Sequence, residues 1–209
     1  MWNTDSLDFL EYLFESDNTT GKVVFSNYTL FQTTLASSDS FGYSVLTVDY
    51  DGDGDEELLV GAIGDDTQGS AAGRVVVYDN PGTPGTLLDN TADSYIYPSA
   101  TLNYLCGSAL AKGKYSNSSY DDLFIGCMGA DVPTYDVGIV HQYAGSVTGV
   151  SASSTTISHP EAASVSSDYF GAAITILDMN RDGNNDLVIG AHQDDDPGVS
   201  AGSIFIFTE

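Results

Sequence analysis

Short apolar runs broken by glycine and acidic clusters set the rhythm of this chain. "YSVLTV" (43–48) and "ELLVGA" (57–62) are brief, aliphatic and rich in β-branched residues, with Asp or Gly clusters at their ends. Runs of this length between turn formers predict strands, here an antiparallel pair joined by an acidic loop. "RVVVY" (74–78) and "SIFIF" (203–207) are continuously apolar and predict strands buried on both faces. "YTLFQTTL" (28–35) alternates and predicts a more exposed strand. Helix signal is thin: "SLDFLEYLFE" (6–15) fits a short amphipathic helix or a strand, and its register before "GKVVF" favours the strand.

The pattern repeats. "FGYSVLTVDYDGDGDEELLVGA" (41–62) matches "FGAAITILDMNRDGNNDLVIGA" (170–191). A third copy, "CGSALAKGKYSNSSYDDLFIGC" (106–127), keeps the glycine, the length and "DLFIG" but loses the acidic loop. After each copy comes another apolar strand, and glycines at 21, 73, 138 and 202 mark those strands and an earlier one. Self-similarity at about 50–65 residues, with four short strands per unit, is the grammar of a β-propeller blade. The expected fold is all-β, built of four-stranded antiparallel blades in one repeat domain over 1–209. Its parts are a partial N-terminal blade (1–40), a first repeat (41–105), a second (106–169) and an incomplete third (170–209).

These residues resemble the FG-GAP repeat of integrin α-type propellers. Phe41-Gly42 and Phe170-Gly171 supply the FG; Gly61-Ala62 and Gly190-Ala191 supply the GA, while Ile63, Met128 and His192 stand where the family has proline. The family's calcium loop, D-x-[DN]-x-D-G-x-x-[DE], occurs twice between the strands. The resemblance implies two Ca²⁺ sites. In the first, Asp49, Asp51 and Asp53 ligate by side chain, Asp55 by its carbonyl, and Glu57 closes the site. In the second, the matching positions are Asp178, Asn180, Asp182, Asn184 (carbonyl) and Asp186. Gly54 and Gly183, sixth in each loop, permit the turn back with positive φ. Ca²⁺ takes six to eight oxygens in a forgiving geometry, which such loops can supply. An EF-hand is excluded, because strands flank the loop and the twelfth positions are Val60 and Ile189.

The middle loop places Lys114, Ser116, Ser118, Ser119 and Asp122 at the corresponding positions, so no cation is expected there. Lys114 either lends its ammonium to Asp122 or is simply solvated. Cys106 and Cys127 replace the FG phenylalanine and the GA alanine of that repeat. A disulfide between them would substitute for the missing metal clip. Pairing centred on the loop offsets them by about three positions, against a Cα limit of roughly 7 Å, so a disulfide and two buried thiols both stay open.

Composition narrows the function. The chain has 30 acidic against five basic residues and a net charge of −25, which excludes a nucleic-acid groove and an anionic membrane surface. No apolar run reaches membrane-spanning length, and the N-terminus lacks a signal-peptide pattern. Sequons at Asn18, Asn27 and Asn117 mark N-glycosylation candidates and lean towards an extracellular or cell-surface setting. His141, His159 and His192 fall in unrelated contexts, and no nucleophile, metalloprotease or phosphate-loop motif occurs. His192 with Asp194, Asp195 and Asp196 is a weak transition-metal candidate beside a solvated loop. The expected function is a non-enzymatic calcium-binding module for adhesion, for protein or glycan binding, or for assembly. The alternative is the propeller portion of a secreted hydrolase with its catalytic residues elsewhere.

Related propellers close with roughly seven blades, about twice this length. Three arrangements fit: a piece of a longer propeller, a small ring of about four blades, or self-assembly in which neighbouring copies complete partial blades.

Overall fold

The computed structural model describes residues 36–80, 91–115, 119–132, 135–160, 167–196 and 198–208. Nearly all of the N-terminal part-blade, and the sequons at Asn18, Asn27 and Asn117, lie outside these residues. The described residues form three antiparallel sheets without a helix.

The first blade has strands β1 (Phe41–Val48), β2 (Glu57–Ala62), β3 (Arg74–Tyr78) and β4 (Ser94–Ile96), hydrogen-bonded in that order. The second repeats it with β5 (Cys106–Gly113), β6 (Asp122–Cys127), β7 (Ile139–Ser146) and β8 (Gly149–Ser158). The third contains β9 (Phe170–Leu177), β10 (Asp186–Ala191) and β11 (Ser203–Phe207), with β10 in the centre. In each blade strands that follow one another in sequence are neighbours in the sheet, an order that antiparallel pairing allows without a crossover.

The FG–GA pattern has a structural cause. In each blade the first two strands pair regularly near the loop and then shift register at a bulge. An uninterrupted ladder would place Tyr43, Ser108 and Ala172 opposite Ala62, Cys127 and Ala191. The bulge instead places Phe41, Cys106 and Phe170 there. It depends on Gly42, Gly107 and Gly171, whose φ angles are 89°, 90° and 88°; a left-handed residue inside a strand is the standard use of glycine. Cys106 and Cys127 are thereby directly opposite and are joined by a disulfide. The offset expected from the loop-centred register is absent because that register ignored the bulge.

Blades pack face to face through glycine. A Cβ on Gly61 would collide with the carbonyl oxygen of Gly107, and one on Gly126 with that of Gly171. Each of these carbonyls also accepts a serine hydroxyl from the preceding blade, Ser44 at 2.7 Å and Ser108 at 3.1 Å. The first seam buries Val48, Leu59, Val75 and Val77 against Leu123, Ile125 and Tyr143. The second buries Phe124 and Val140 against Phe170, Leu187 and Ile189.

β3 is buried at all five positions, as its apolar run predicts. β11 is not: Ile204 is 67% and Ile206 44% exposed. Its Phe205 and Phe207 pack on the second seam, whereas the isoleucines face outward. An apolar run records what a strand can bury; the next blade decides whether it does.

Candidate cation loops

The first loop turns on left-handed Gly52 (φ 83°) and Gly54 (φ 99°) between β1 and β2. Asx turns pre-fold it: Asp49 Oδ1 accepts the Gly52 N–H at 2.7 Å, Asp51 Oδ1 that of Asp53 at 3.1 Å, and Asp53 Oδ1 that of Asp55 at 2.9 Å. The closing Glu57 is 1% exposed. Its Oε2 accepts the Tyr50 N–H at 2.6 Å, while Oε1 is buried without a hydrogen-bond partner. Ligand oxygens of Asp49, Asp51 and Glu57 lie within 4.8 Å of one another. Asp53 and Asp55 stay on the exposed rim. Burial raises the Glu57 pKa, the Tyr50 N–H pulls it back, and the charges of Asp51, Asp53 and Asp49 raise it further. A buried carboxylate facing other carboxylates needs a proton or a cation.

The third-blade loop repeats this backbone with Arg181 (φ 64°) and Gly183 (φ 97°). Asn180 Oδ1 accepts the Asp182 N–H at 2.9 Å, and Asp182 Oδ1 that of Asn184 at 2.8 Å. The closing Asp186, fully buried, accepts the Met179 N–H on Oδ2 at 2.9 Å and leaves Oδ1 without a hydrogen-bond partner. Both Asp178 oxygens are already engaged by the Asp182 and Gly183 N–H groups. The acidic side chains of this loop do not form the close trio seen in the first. Both loops end in a buried carboxylate oxygen without a hydrogen bond, and in the first loop two further carboxylates lie close to it, a hard-oxygen set of the kind Ca²⁺ takes.

In the middle repeat both oxygens of the closing carboxylate are hydrogen-bonded. Asp122 Oδ1 accepts the Gly145 N–H at 2.7 Å and Oδ2 accepts the Gln142 amide at 2.8 Å. From sequence, Lys114 is either a partner for Asp122 or simply solvated; two β7 groups bond the Asp122 oxygens, and Lys114 is exposed. Lys112 instead pairs with Glu56 of the first-blade loop.

A second buried polar site lies beyond the FG end of the strands. Asp39 and Asp168 each stand two residues before the FG phenylalanine; Asp65 and Asp194 each stand three residues after the GA alanine. In the first blade Asp65 Oδ2 meets Arg74 Nε at 3.0 Å. In the third blade His159 Nε2 lies 3.6 Å from Asp168 Oδ2 and 4.0 Å from Asp194 Oδ2, with all three side chains at most 1% exposed. Burial, and then the charges of Asp194, Asp195 and Asp196, raise the Asp168 pKa to about 6. Burial lowers that of His159 against the opposing pull of Asp194 and Asp196. The grouping of His192 with Asp194 weighed from sequence is not formed: His192 is exposed and stacks on Tyr169, while Asp194 turns inward to His159. The repeated Asp positions were the signal that could have found this site.

Comparison with known proteins agrees with the geometry. A family described as the FG-GAP repeat matches residues 41–78 and 170–207, the first and third blades. The chain is 32% identical over 154 residues to human integrin alpha-11, covering 72% of this chain. It is 32% identical over 189 residues to integrin alpha-PS2 of Drosophila melanogaster, covering 85% of this chain. It is 28% identical over 171 residues to integrin alpha pat-2 of Caenorhabditis briggsae, covering 73%. These matches span only 12% to 13% of the relatives' own lengths. With the repeated strand order, bulge and acidic hairpin, they make the chain an FG-GAP repeat protein of the integrin α propeller type.

Proposed function

We propose that this chain is a non-catalytic adhesion-type binding module, extracellular or at the cell surface, whose first and third blades each hold one Ca²⁺. The first ion is held by Asp49, Asp51, Asp53, the Asp55 carbonyl and Glu57. The second is held by Asp178, Asn180, Asp182, the Asn184 carbonyl and Asp186. The observation that carries this reading is the contrast between closing carboxylates. Glu57 and Asp186 keep a buried oxygen without a hydrogen bond, whereas Asp122 has both oxygens bonded in the repeat that lacks the acidic loop. The ion gathers carboxylates that otherwise repel and adds its binding free energy to folding.

Similarity to integrin α chains supports a role in binding protein or glycan ligands. No helix among the described residues is long and apolar enough to cross a membrane. Calorimetric titration with Ca²⁺ tests the reading. Two bound ions, and a melting temperature that falls in excess chelator, are expected. An unchanged melt with no binding heat would overturn it.

A further inference from the structure

The two acidic loops differ in what lies across from them. The turn between β7 and β8 of the second blade reaches back onto the first loop. The Val150 N–H donates to the Tyr50 carbonyl at 2.9 Å. Gly52 and Gly149 meet backbone to backbone: a Cβ on Gly149 would strike Tyr50 and Asp51, and one on Gly52 would strike Thr148 and Gly149. Gly149 is also left-handed, at φ 86°. Tyr50, whose N–H is held by Glu57, is thus gripped on its carbonyl side by the next blade. Tyr50 lies between Asp49 and Asp51 in the chain, so this grip fixes the spacing of two of the three clustered carboxylates. The Lys112–Glu56 ion pair ties the far side of the loop to the same blade. A cavity of about 230 Å³ beside the loop is lined by Asp49, Glu56, Lys112, Ser146 and Gly149, residues of both blades.

The third-blade loop has less support. Arg181, the counterpart of the gripped Gly52, is exposed, and Met179, the counterpart of Tyr50, is 48% exposed. Its described tie to another blade is the Asn185 amide, which donates to the Lys114 carbonyl at 2.8 Å.

We propose that the first loop is a seam-coupled cation site. The β7–β8 turn positions Asp49, Asp51 and Glu57, so this loop binds its ion more tightly than the third-blade loop, and the bound ion in turn orders the turn. The proposal rests on the reading of both loops as calcium sites. Its physical basis is preorganisation: a site whose ligand spacing is already fixed loses less entropy on binding.

The test is a Ca²⁺ titration of the whole chain by calorimetry, with hydrogen exchange read at the Val150 amide. Two classes of site about tenfold or more apart are expected. D51N should remove the tight class and D182N the weak one. G149A should weaken the tight class by about tenfold and spare the weak one. Calcium should slow Val150 exchange in the wild-type chain and in D182N, and leave it unchanged in D51N. Equal affinities, loss of the tight class in D182N, or a wild-type Val150 amide indifferent to calcium would each overturn the coupling while leaving two calcium sites intact. The wild-type exchange measurement decides even if G149A fails to fold. Absence of any calcium binding would overturn the underlying reading as well.

Discussion

Val75 and Ile204 hold the same position in their blades, opposite Gly61 and Gly190, yet Val75 is fully buried and Ile204 is 67% exposed. The difference lies in what covers them. Val75 packs in the first seam, and a Cβ on Gly190 would meet nothing nearer than Ala173. Substitution should therefore be strongly unequal. V75A is expected to cost about 2 kcal/mol and I204A less than about 0.5 kcal/mol, read from urea unfolding. Equal costs would show that the outer face of the third blade is covered in solution.

That outer face also carries Leu177 and Ile206, 42% and 44% exposed, where the first blade has buried Val48 and Val77. Apolar sheet faces of this kind associate. The isolated chain is expected to show a concentration-dependent mass in sedimentation. Added salt should strengthen it by screening the net charge of −25. I204D/I206D should sediment as a monomer at every concentration.

Glu57 and Asp122, which close the acidic and the middle loop, should respond differently to calcium. E57Q is expected to lower the melting temperature in calcium and to change it little in chelator, because the wild-type carboxylate has no cation to hold there. D122N should cost about 1–2 kcal/mol in both conditions, since its hydrogen bonds to Gln142 and Gly145 need no ion. Differential scanning fluorimetry in both media separates the two patterns. With calcium at about a hundred times its dissociation constant, one site contributes about 2.7 kcal/mol.

Reduction should act on the central blade. The Cys106–Cys127 bridge closes a loop with a sequence separation of 21 residues. Its removal as C106S/C127S is expected to cost about 3 kcal/mol by the loop-entropy estimate. Calcium stoichiometry, measured by equilibrium dialysis, should stay the same in that variant.

Asp168 makes stability depend on pH with a definite sign. Its folded pKa of about 6 lies above the ordinary carboxylate value. The folded state thus holds a proton that the unfolded state releases. This contribution is complete below about pH 4 and is lost as pH rises through about 6. His159, with a lowered pKa, works in the opposite direction: its contribution is present above about 6.5 and is lost on acidification. D168N should therefore be more stable than wild type at pH 7.5, by about 1–2 kcal/mol, and should lose that advantage near pH 4. Chemical denaturation across this range at fixed calcium checks it; a variant less stable at pH 7.5 would contradict the assignment.

Strand pairs, blade order and both acidic hairpins were legible because each is written within about twenty consecutive residues and then repeated. The bulge was not, since a register shift changes no residue type; only Gly42, Gly107 and Gly171 hint at it. The partners of Asp122 lie 20 and 23 residues downstream on β7 and carry no distinctive pattern. The exposure of β11 was illegible for a different reason: it depends on a neighbour, which a strand's own sequence does not encode. The His159–Asp168–Asp194 group was half legible, through aspartates recurring in blades one and three. Its histidine enters from the end of the middle repeat, outside that pattern.

The central blade is fastened by a covalent bond and by side-chain hydrogen bonds, whereas its neighbours end in aromatic–alanine pairs and acidic turns. With ions in the two acidic hairpins, as proposed, the array would answer to two properties of its medium at different places. On the proposed calcium reading, loss of cations loosens the flanks and the β7–β8 turn that leans on the first loop, but leaves the disulfide in place; a reducing medium opens the disulfide and leaves the acidic hairpins in place. A chain organised this way keeps a keystone through either insult alone, and only a medium that is both reducing and cation-poor attacks every blade at once.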